Sequence, residues 1–349
     1  MILAQSFLLP LSILYGAGAR LRAWTYRAGV FQQRRLRGVV VSVGNLTVGG
    51  TGKTPVTIWL AQRFAKAGRK TAVLSRGYRP LPQRSRAGVG IEIPPGWNDE
   101  AALLHERLGD TVTIGLGANR FAKGRELESR GIECFILDDG FQHLRLGRDI
   151  DIVLLDATNP FGGGHLLPAG RLREPISALR RADIVIVTRS EHAPATEAII
   201  QRHTSAPIFY ARTELLSVET YSQPAGTTNN QSSGDEKYFA FCGIGNPFAF
   251  FDDLAKWGVH LAGHATFRDH HLYTEADLSE LESRALAVGA NALLCTEKDI
   301  QDLTPLHANR FPILFCKIAL RFNDEASLWQ TILDKLARAK AQTKSGSLR

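Results

Sequence analysis

The most informative chemistry in this chain is a run of glycines set between an apolar stretch and a Lys-Thr pair. In Thr47-Val48-Gly49-Gly50-Thr51-Gly52-Lys53-Thr54 the glycines let successive backbone N–H groups turn inward around a polyphosphate. Lys53 then reaches the β and γ phosphates, and the Thr54 hydroxyl is placed to ligate Mg²⁺. The pattern departs from G-x-x-x-x-G-K-[ST] at its leading glycine, where Thr47 stands; Gly49 and Gly50 supply the flexibility two residues later. A second group is Asp138-Asp139, which closes the apolar run Phe135-Ile136-Leu137. Downstream of a phosphate loop, a carboxylate there holds Mg²⁺ directly or through water. Gln142 and His143 follow, at the carboxyl end of the strand, where open α/β sheets bind ligands.

Three further groups admit two readings each. Asn98-Asp99-Glu100 is either a helix N-cap with first-turn charge or a chemical group. The glycine- and proline-punctuated run from Phe161 to Pro175 carries Arg171, Arg173 and Glu174, whose arginines either grip phosphates or decorate a structural crossover. Asp269-His270-His271 sits in a turn. Adjacent histidines suggest zinc, but further Cys or His at ligand spacing are missing, so one His serves better to orient or tune a carboxylate.

Strands and helices must position these groups. Val39–Val43 reads as a buried strand and the segment from Ile58 to Ala65 as a helix with apolar spacing, with Pro55 tolerated in its first turn. Apolar strands follow at 71–75, 112–116, 135–138, 150–156 and 184–188, with a charged helix over 120–130. This is the alternation of a doubly wound, mostly parallel α/β sheet of the P-loop NTPase type. Residues 222–236 are the only low-complexity run inside the chain and read as a flexible linker. Beyond them the alternation restarts. The expected organisation is an N-terminal segment 1–37, a P-loop core 38–221, the linker, and a smaller α/β subdomain 237–349.

Composition narrows the class. The 349 residues carry a net charge of +8, and the first acidic residue is Glu92, so an anionic partner is expected. No nucleic-acid module signature accompanies the charge. Four widely spaced cysteines without a C-x-x-C pair argue against a disulfide framework or a zinc site. Residues 1–19 are uncharged and mostly apolar, but Pro10 and the polar residues make a poor spanning helix, and the lack of a leading Lys or Arg makes a poor signal peptide. Arg20, Arg22, Arg27, Arg34, Arg35 and Arg37, interleaved with Leu21, Trp24, Tyr26 and Phe31, suit a helix lying in an anionic cytoplasmic leaflet. The alternative is a helix packed on the domain with solvated arginines.

Taken together, SVGNLTVGGTGKTP, SRGY, NDE, DDGFQH, LLPAGRLREP, GIGNP and FRDHH closely resemble the tetraacyldisaccharide 4'-kinase family. The matches run from the N-terminal apolar segment to Thr296-Glu297-Lys298-Asp299. The resemblance implies transfer of the ATP γ-phosphoryl group, with Mg²⁺, to the 4'-hydroxyl of an acylated glucosamine disaccharide 1-phosphate. It implies a position on the cytoplasmic face of the inner membrane and no obligate protein partner. By the same resemblance Asp99 is the base for the sugar hydroxyl with His270, rather than His271, as its partner, and Glu174 joins Thr54, Asp138 and Asp139 at the metal. Asn98, Glu100, Arg76, Tyr78, Arg120, Gln142, His143 and Arg171 are implied for the disaccharide phosphate or the nucleotide. Two rivals remain: a kinase for another lipid-linked sugar, and a switch-type P-loop ATPase. The latter's signature Lys before the paired glycines is Val48 here, and the Lys of Thr296-Glu297-Lys298-Asp299 is one place off the [NT]-K-x-D spacing that reads guanine.

Overall fold

Continuous β-branched sequence makes strands that bury both faces, and Val39–Asn45, which forms β1, is buried at all seven positions. The computed structural model describes residues 2–77, 97–192, 196–222, 236–303 and 311–346. Its contacts divide the chain into two units: Met1–Arg76, Leu108–Arg212 and Leu320–Arg349 in the first, Gly77–Arg107 and Thr213–Ala319 in the second.

In the first unit α1 (Ile2–Arg27) precedes β1, and α2 (Lys53–Lys66) and β2 (Thr71–Ser75) follow it. The chain then leaves for the second unit, where it forms α3 (Asp99–Leu108), and returns as β3 (Val112–Leu116), α4 (Arg120–Ser129) and β4 (Cys134–Asp138). β5 (Ile150–Asp156), β6 (Ile184–Thr188), α5 (Thr196–Gln201) and β7 (Ile208–Ser222), whose residues from Thr213 on belong to the second unit, come next. The sheet order is β3-β2-β4-β1-β5-β6-β7, and its pairings are parallel. The strand carrying the phosphate loop therefore has a partner on each side, with Val43 opposite Asp138 and Asn45 opposite Leu154.

α1 docks through small groups. Ser12 Oγ donates to Leu166 O at 3.0 Å and accepts from Ala169 N at 2.9 Å, and Tyr15 OH donates to Arg173 O at 3.0 Å. The opposite side is left open, with Ile13 and Leu14 each 69% exposed. Among the described residues no helix is long and apolar enough to cross a membrane.

In the second unit β8 (Tyr238–Cys242), α6 (Pro247–Lys256), β9 (Leu261–Thr266), α7 (Glu275–Ala287), β10 (Ala292–Thr296), α8 (Asp299–Asp302) and β11 (Ile313–Phe322) succeed one another. Their sheet order is β11-β10-β8-β9, again with parallel pairing. Phe239, Phe241, Tyr273, Leu281, Leu293 and Ile313 form its core. The last helix, α9 (Glu325–Gly346), returns to the first unit. There Trp329 lies edge-on to Phe64, and Glu325 accepts from Trp59 Nε1 at 2.8 Å.

The units do not follow the boundaries expected from sequence. Residues 77–107 belong with the second unit and residues 320–349 with the first. The physical reasons are local: Arg107 on α3 forms an ion pair with Glu297, and α9 covers the aromatic side of α2. Most of the expected linker, and Tyr78, lie outside the described residues.

Close approach decides one glycine. A Cβ on Gly44 would lie 2.6 Å from Phe141 Cβ and 2.7 Å from Phe141 N, whereas one on Gly50 would meet nothing within 4 Å. Gly44→Ala is therefore expected to lower unfolding free energy by about 1–3 kcal/mol through overpacking, and Gly50→Ala by no more than about 0.5 kcal/mol, the usual range of a surface substitution. Urea midpoints of the two variants check this; equal midpoints would refute it.

Candidate active site

The phosphate loop of the first unit is anchored at its ends and in its middle. Asn45 Nδ2 donates to Thr51 Oγ1 at 2.9 Å. Gly52 takes the left-handed conformation, φ 82°, that starts α2. In the middle, Val48 N donates to Arg171 O at 2.8 Å, and Arg173 N donates to Leu46 O at 2.7 Å. α2 begins with no side-chain cap and no acidic residue in its first turn, so its positive end is left for an anion.

Asp139 sits beside Lys53. The Lys53 ammonium is 3.6 Å from Asp139 Oδ1, Arg173 Nη1 donates to Oδ2 at 2.6 Å, and buried Arg120 donates to the Asp139 carbonyl at 3.2 Å. Burial alone would raise this carboxyl, but the Lys53 and Arg173 charges outweigh it and hold it at about 2. Its backbone has φ 49°, a left-handed state that Asp tolerates better than most residues. Asp138 accepts from Thr57 Oγ1 on α2 at 3.2 Å.

The donor set fits a hard divalent cation. Asp139 Oδ1 is buried with no hydrogen-bond partner among the described residues, and oxygen ligands of this kind are what Mg²⁺ takes together with phosphates. Thr54 lies in the first turn of α2. Glu174 is buried and paired with Arg181 at 2.7 Å, so a metal would share it with that guanidinium. Arg171 spends its Nε on Val48 O at 3.2 Å, bracing the loop. Gln142 donates to Asn45 O at 2.9 Å, while Gln142 Oε1 and His143 Nε2 are buried without partners among the described residues. Arg76 is exposed at the end of β2.

In the second unit the two readings of Asn98-Asp99-Glu100 separate. Asn98 Oδ1 accepts from Ala101 N at 3.2 Å and so caps α3, which frees Asp99 for other work. Asp99 is 4% exposed and accepts from His270 Nδ1 at 2.8 Å. Burial raises its carboxyl, yet the His270 hydrogen bond and the Lys298 charge leave it below the usual range. His271 is engaged elsewhere: it lies 3.1 Å from Asp277 and stacks on Phe267. Geometry thus puts His270, not its neighbour, on Asp99. Lys298 Nζ is 3.6 Å from Asp99 Oδ2, 3.2 Å from Asp269 Oδ1 and 3.3 Å from His270 Nε2.

Arg173, one of the two arginines expected either to grip phosphates or to decorate a crossover, instead pairs with Asp139. Lys298 has no role in the sequence beyond its place in Thr296-Glu297-Lys298-Asp299, which misses the guanine-reading spacing.

A parallel sheet whose central strand runs through a glycine turn into an uncapped helix, with Lys53 and paired aspartates beside it, defines a P-loop nucleotide-binding protein. The family model LpxK, tetraacyldisaccharide-1-P 4'-kinase, matches residues 4–337. The tetraacyldisaccharide 4'-kinase of Pelobacter propionicus is 38% identical over 341 residues, 95% of this chain and 93% of that one. The enzyme of the same name from an Anaeromyxobacter species is 39% identical over 306 residues, covering 84% of this chain and 81% of its own. Among solved structures, LpxK from Aquifex aeolicus in complex with ATP superimposes with a TM-score of 0.71 at 28% identity, covering 95% of this chain and 99% of that one. The chain belongs to the tetraacyldisaccharide-1-P 4'-kinase family.

One consequence of this geometry is a pH dependence. Burial, with Arg120 and Arg148 adding to it, pushes the His143 imidazole from 6.5 down to about 4. The unfolded chain therefore takes a proton near pH 6.5 that the folded chain refuses until about 4. The stability this residue preserves is complete above pH 6.5 and lost as pH falls toward 4. His143→Gln is expected to remove that part of the decline in denaturant titrations, and the wild-type ring should titrate near pH 4 by NMR. A His143 midpoint at its ordinary value would contradict the assignment.

Proposed function

We propose that this chain is an ATP-dependent kinase that phosphorylates the 4'-hydroxyl of a tetraacyldisaccharide 1-phosphate, forming lipid IVA in lipid A biosynthesis. The observation that carries the reading is the family match across residues 4–337. The chemistry of the two units supports it.

Phosphoryl transfer depends mainly on positioning and charge stabilisation. Lys53, the loop N–H groups and the N-terminus of α2 supply positive charge for the triphosphate. Thr54, Asp138 and Asp139 would hold Mg²⁺, with Glu174 as a further carboxylate; when bound, the cation neutralises charge on the β and γ phosphates. Asp99 takes the proton of the 4'-hydroxyl. That oxygen forms the new bond to the γ-phosphorus, and the bond from that phosphorus to the bridging oxygen breaks with its electron pair leaving on ADP. An ordinary Asp, with a pKa of about 3.9, is a weak base for an alcohol. The transfer must therefore come late, and the role of His270 is to hold the carboxylate in place. Asn98, Glu100, Arg76, Gln142, His143 and Arg171 are the candidates for the sugar and its 1-phosphate.

The anionic cytoplasmic leaflet of the inner membrane is the second partner in this reading. The outer side of α1 exposes Ile13, Leu14, Leu21 and Trp24 next to Arg20, Arg22 and Arg27, an apolar surface edged by positive charge. Each arginine near such a leaflet contributes about 1 kcal/mol of attraction. The inner side is docked through Ser12 and Tyr15, and in this reading the outer side of the same helix lies on the bilayer.

Labelled γ-phosphate from ATP and Mg²⁺ should enter detergent-dispersed tetraacyldisaccharide 1-phosphate with the wild-type protein. Lys53→Ala and Asp99→Ala should each slow that transfer by at least about a hundredfold, the scale of lost charge stabilisation or of lost general-base assistance. ATP hydrolysis without lipid labelling would overturn the kinase reading in favour of a switch-type ATPase. Separately, Ile13→Asp combined with Leu14→Asp should release the chain from phosphatidylglycerol vesicles in flotation. Undiminished flotation would mean that another surface binds lipid.

A further inference from the structure

Thr296-Glu297-Lys298-Asp299 does not keep the spacing that reads guanine, yet three of its residues are tied down. Asp299 is fully buried and accepts from Gly243 N at 2.7 Å and Tyr273 OH at 2.8 Å. Thr296 donates its hydroxyl to the other Asp299 oxygen. Glu297 takes a bidentate pair from Arg107 on α3, at 2.8 and 3.0 Å, while the same guanidinium reaches Ile318 O at 3.1 Å. The backbone of Lys298 is thereby fixed on both sides, and its ammonium is directed at one place.

We propose that Lys298 is a positioning residue for the Asp99–His270 pair: its ammonium donates to His270 Nε2, holding the imidazole in the neutral tautomer whose Nδ1–H donates to Asp99. The catalytic consequence of this assignment rests on the reading of Asp99 as proton acceptor; the tautomer does not.

The donors and acceptors around the ring decide which nitrogen carries a proton. Nδ1 faces a carboxylate at 2.8 Å, so it carries a proton. Nε2 faces an ammonium at 3.3 Å, and two donors cannot share that contact, so either the ring or the amine is neutral. Asp99 and Asp269 flank the amine at 3.6 and 3.2 Å, and with Glu100 they keep it charged, outweighing the burial that would discharge it. With the amine charged, a hydrogen bond at this contact requires a ring whose Nε2 is bare. Asp269 does not compete for it, because its oxygen is 3.9 Å from Nε2, beyond hydrogen-bond reach.

The charges around His270 pull in opposite directions. The Asp99 hydrogen bond, with Asp269 adding to it, outweighs burial and the Lys298 charge and raises the ring above its ordinary value; Lys298 is the charge that limits that rise. Asp302, itself lifted to about 7 by burial and by the nearby Asp99, adds a further acid to the same cluster. An imidazolium at 2.8 Å would neutralise Asp99 and weaken it as a base, whereas a neutral N–H donor orients the carboxylate and leaves its charge intact. Backbone geometry fits this assignment: His270 is held at φ 58°, and its N–H donates to Gly243 O at 3.1 Å, so the ring is placed by the same glycine that Asp299 grips.

The test measures kcat/KM against pH for the full-length wild type, Lys298→Met, and Lys298→Cys before and after treatment with 2-bromoethylamine, which rebuilds an ammonium on the introduced thiol. The four native cysteines are buried and spared by mild alkylation. Without the ammonium, the pull of Asp99 on the ring is unopposed, so the acid limb should move up by about one pH unit. That is a tenfold loss of kcat/KM on the limb, and aminoethylation should return the limb to its wild-type position. A merely structural lysine would lower the whole profile without moving it, and an unmoved limb in both variants overturns the proposal. In wild-type protein labelled with ¹⁵N-histidine and assigned with His270→Gln, Nδ1 should be protonated and Nε2 bare; a protonated Nε2 also overturns it. Should Asp99→Asn retain normal turnover, the base reading fails, while the ¹⁵N tautomer and its titration in Lys298→Met still decide the role of Lys298.

Discussion

The first unit depends on the pairing of β1 on both edges. A polyphosphate is held by backbone N–H groups only if the loop that presents them has no slack, because a mobile loop gives up about 1–2 kcal/mol per residue when it orders. Parallel ladders on both sides of Val39–Asn45 remove that freedom at the strand end, and the left-handed Gly52 removes it at the helix start. The same ladder fixes Asp138 at the end of β4. With Val43 opposite Asp138, a slip of one residue would turn that side chain to the other face of the sheet. The position of Asp138 is thus a property of strand register more than of its own loop.

Burial without neutralisation is the common electrostatic device in both units. Asp99 is withdrawn from water and Asp139 partly so, which alone would favour the protonated form. Each is instead kept anionic by fixed donors, Lys53 and Arg173 in one case and His270 with Lys298 in the other. The geometry differs in one useful respect. Lys53 stands 3.6 Å from Asp139, too far for a good hydrogen bond, so it is held near its carboxylate without being committed to it. Arg173, at 2.6 Å, carries the commitment.

What sequence reveals and what it hides follows from the range of the interactions. The phosphate loop, the strand ends and most of the apolar strands were legible because each is written in consecutive residues. β7 was not, since Thr213-Glu214 and Glu219-Thr220 interrupt its apolar content and the ladder that stabilises it is non-local. The unit boundaries were missed for the same reason: α3 belongs with residues almost two hundred positions away through the Arg107–Glu297 pair, and no local composition records that. Asn98 could be read as a cap from its type, but that it leaves Asp99 free is visible only in three dimensions. Likewise the choice between His270 and His271 depends on which ring meets Asp99 and which meets Asp277, a matter of backbone direction at a left-handed residue.

The segment from Leu166 to Arg173 shows how the first unit couples its helix α1 to the phosphate loop. On one side its carbonyls at Leu166 and Arg173 accept from Ser12 and Tyr15. On the other, Arg171 and Arg173 pair with the backbone of Leu46 and Val48, and Arg173 also reaches Asp139. A loop this long costs considerable entropy to order, and these opposing sets of hydrogen bonds offset it jointly. Loosening α1 therefore removes support from a segment that the phosphate loop uses directly. Any surface that engages the exposed side of α1 acts on a helix already wired, through two backbone carbonyls, to the residues that set the charge on Asp139.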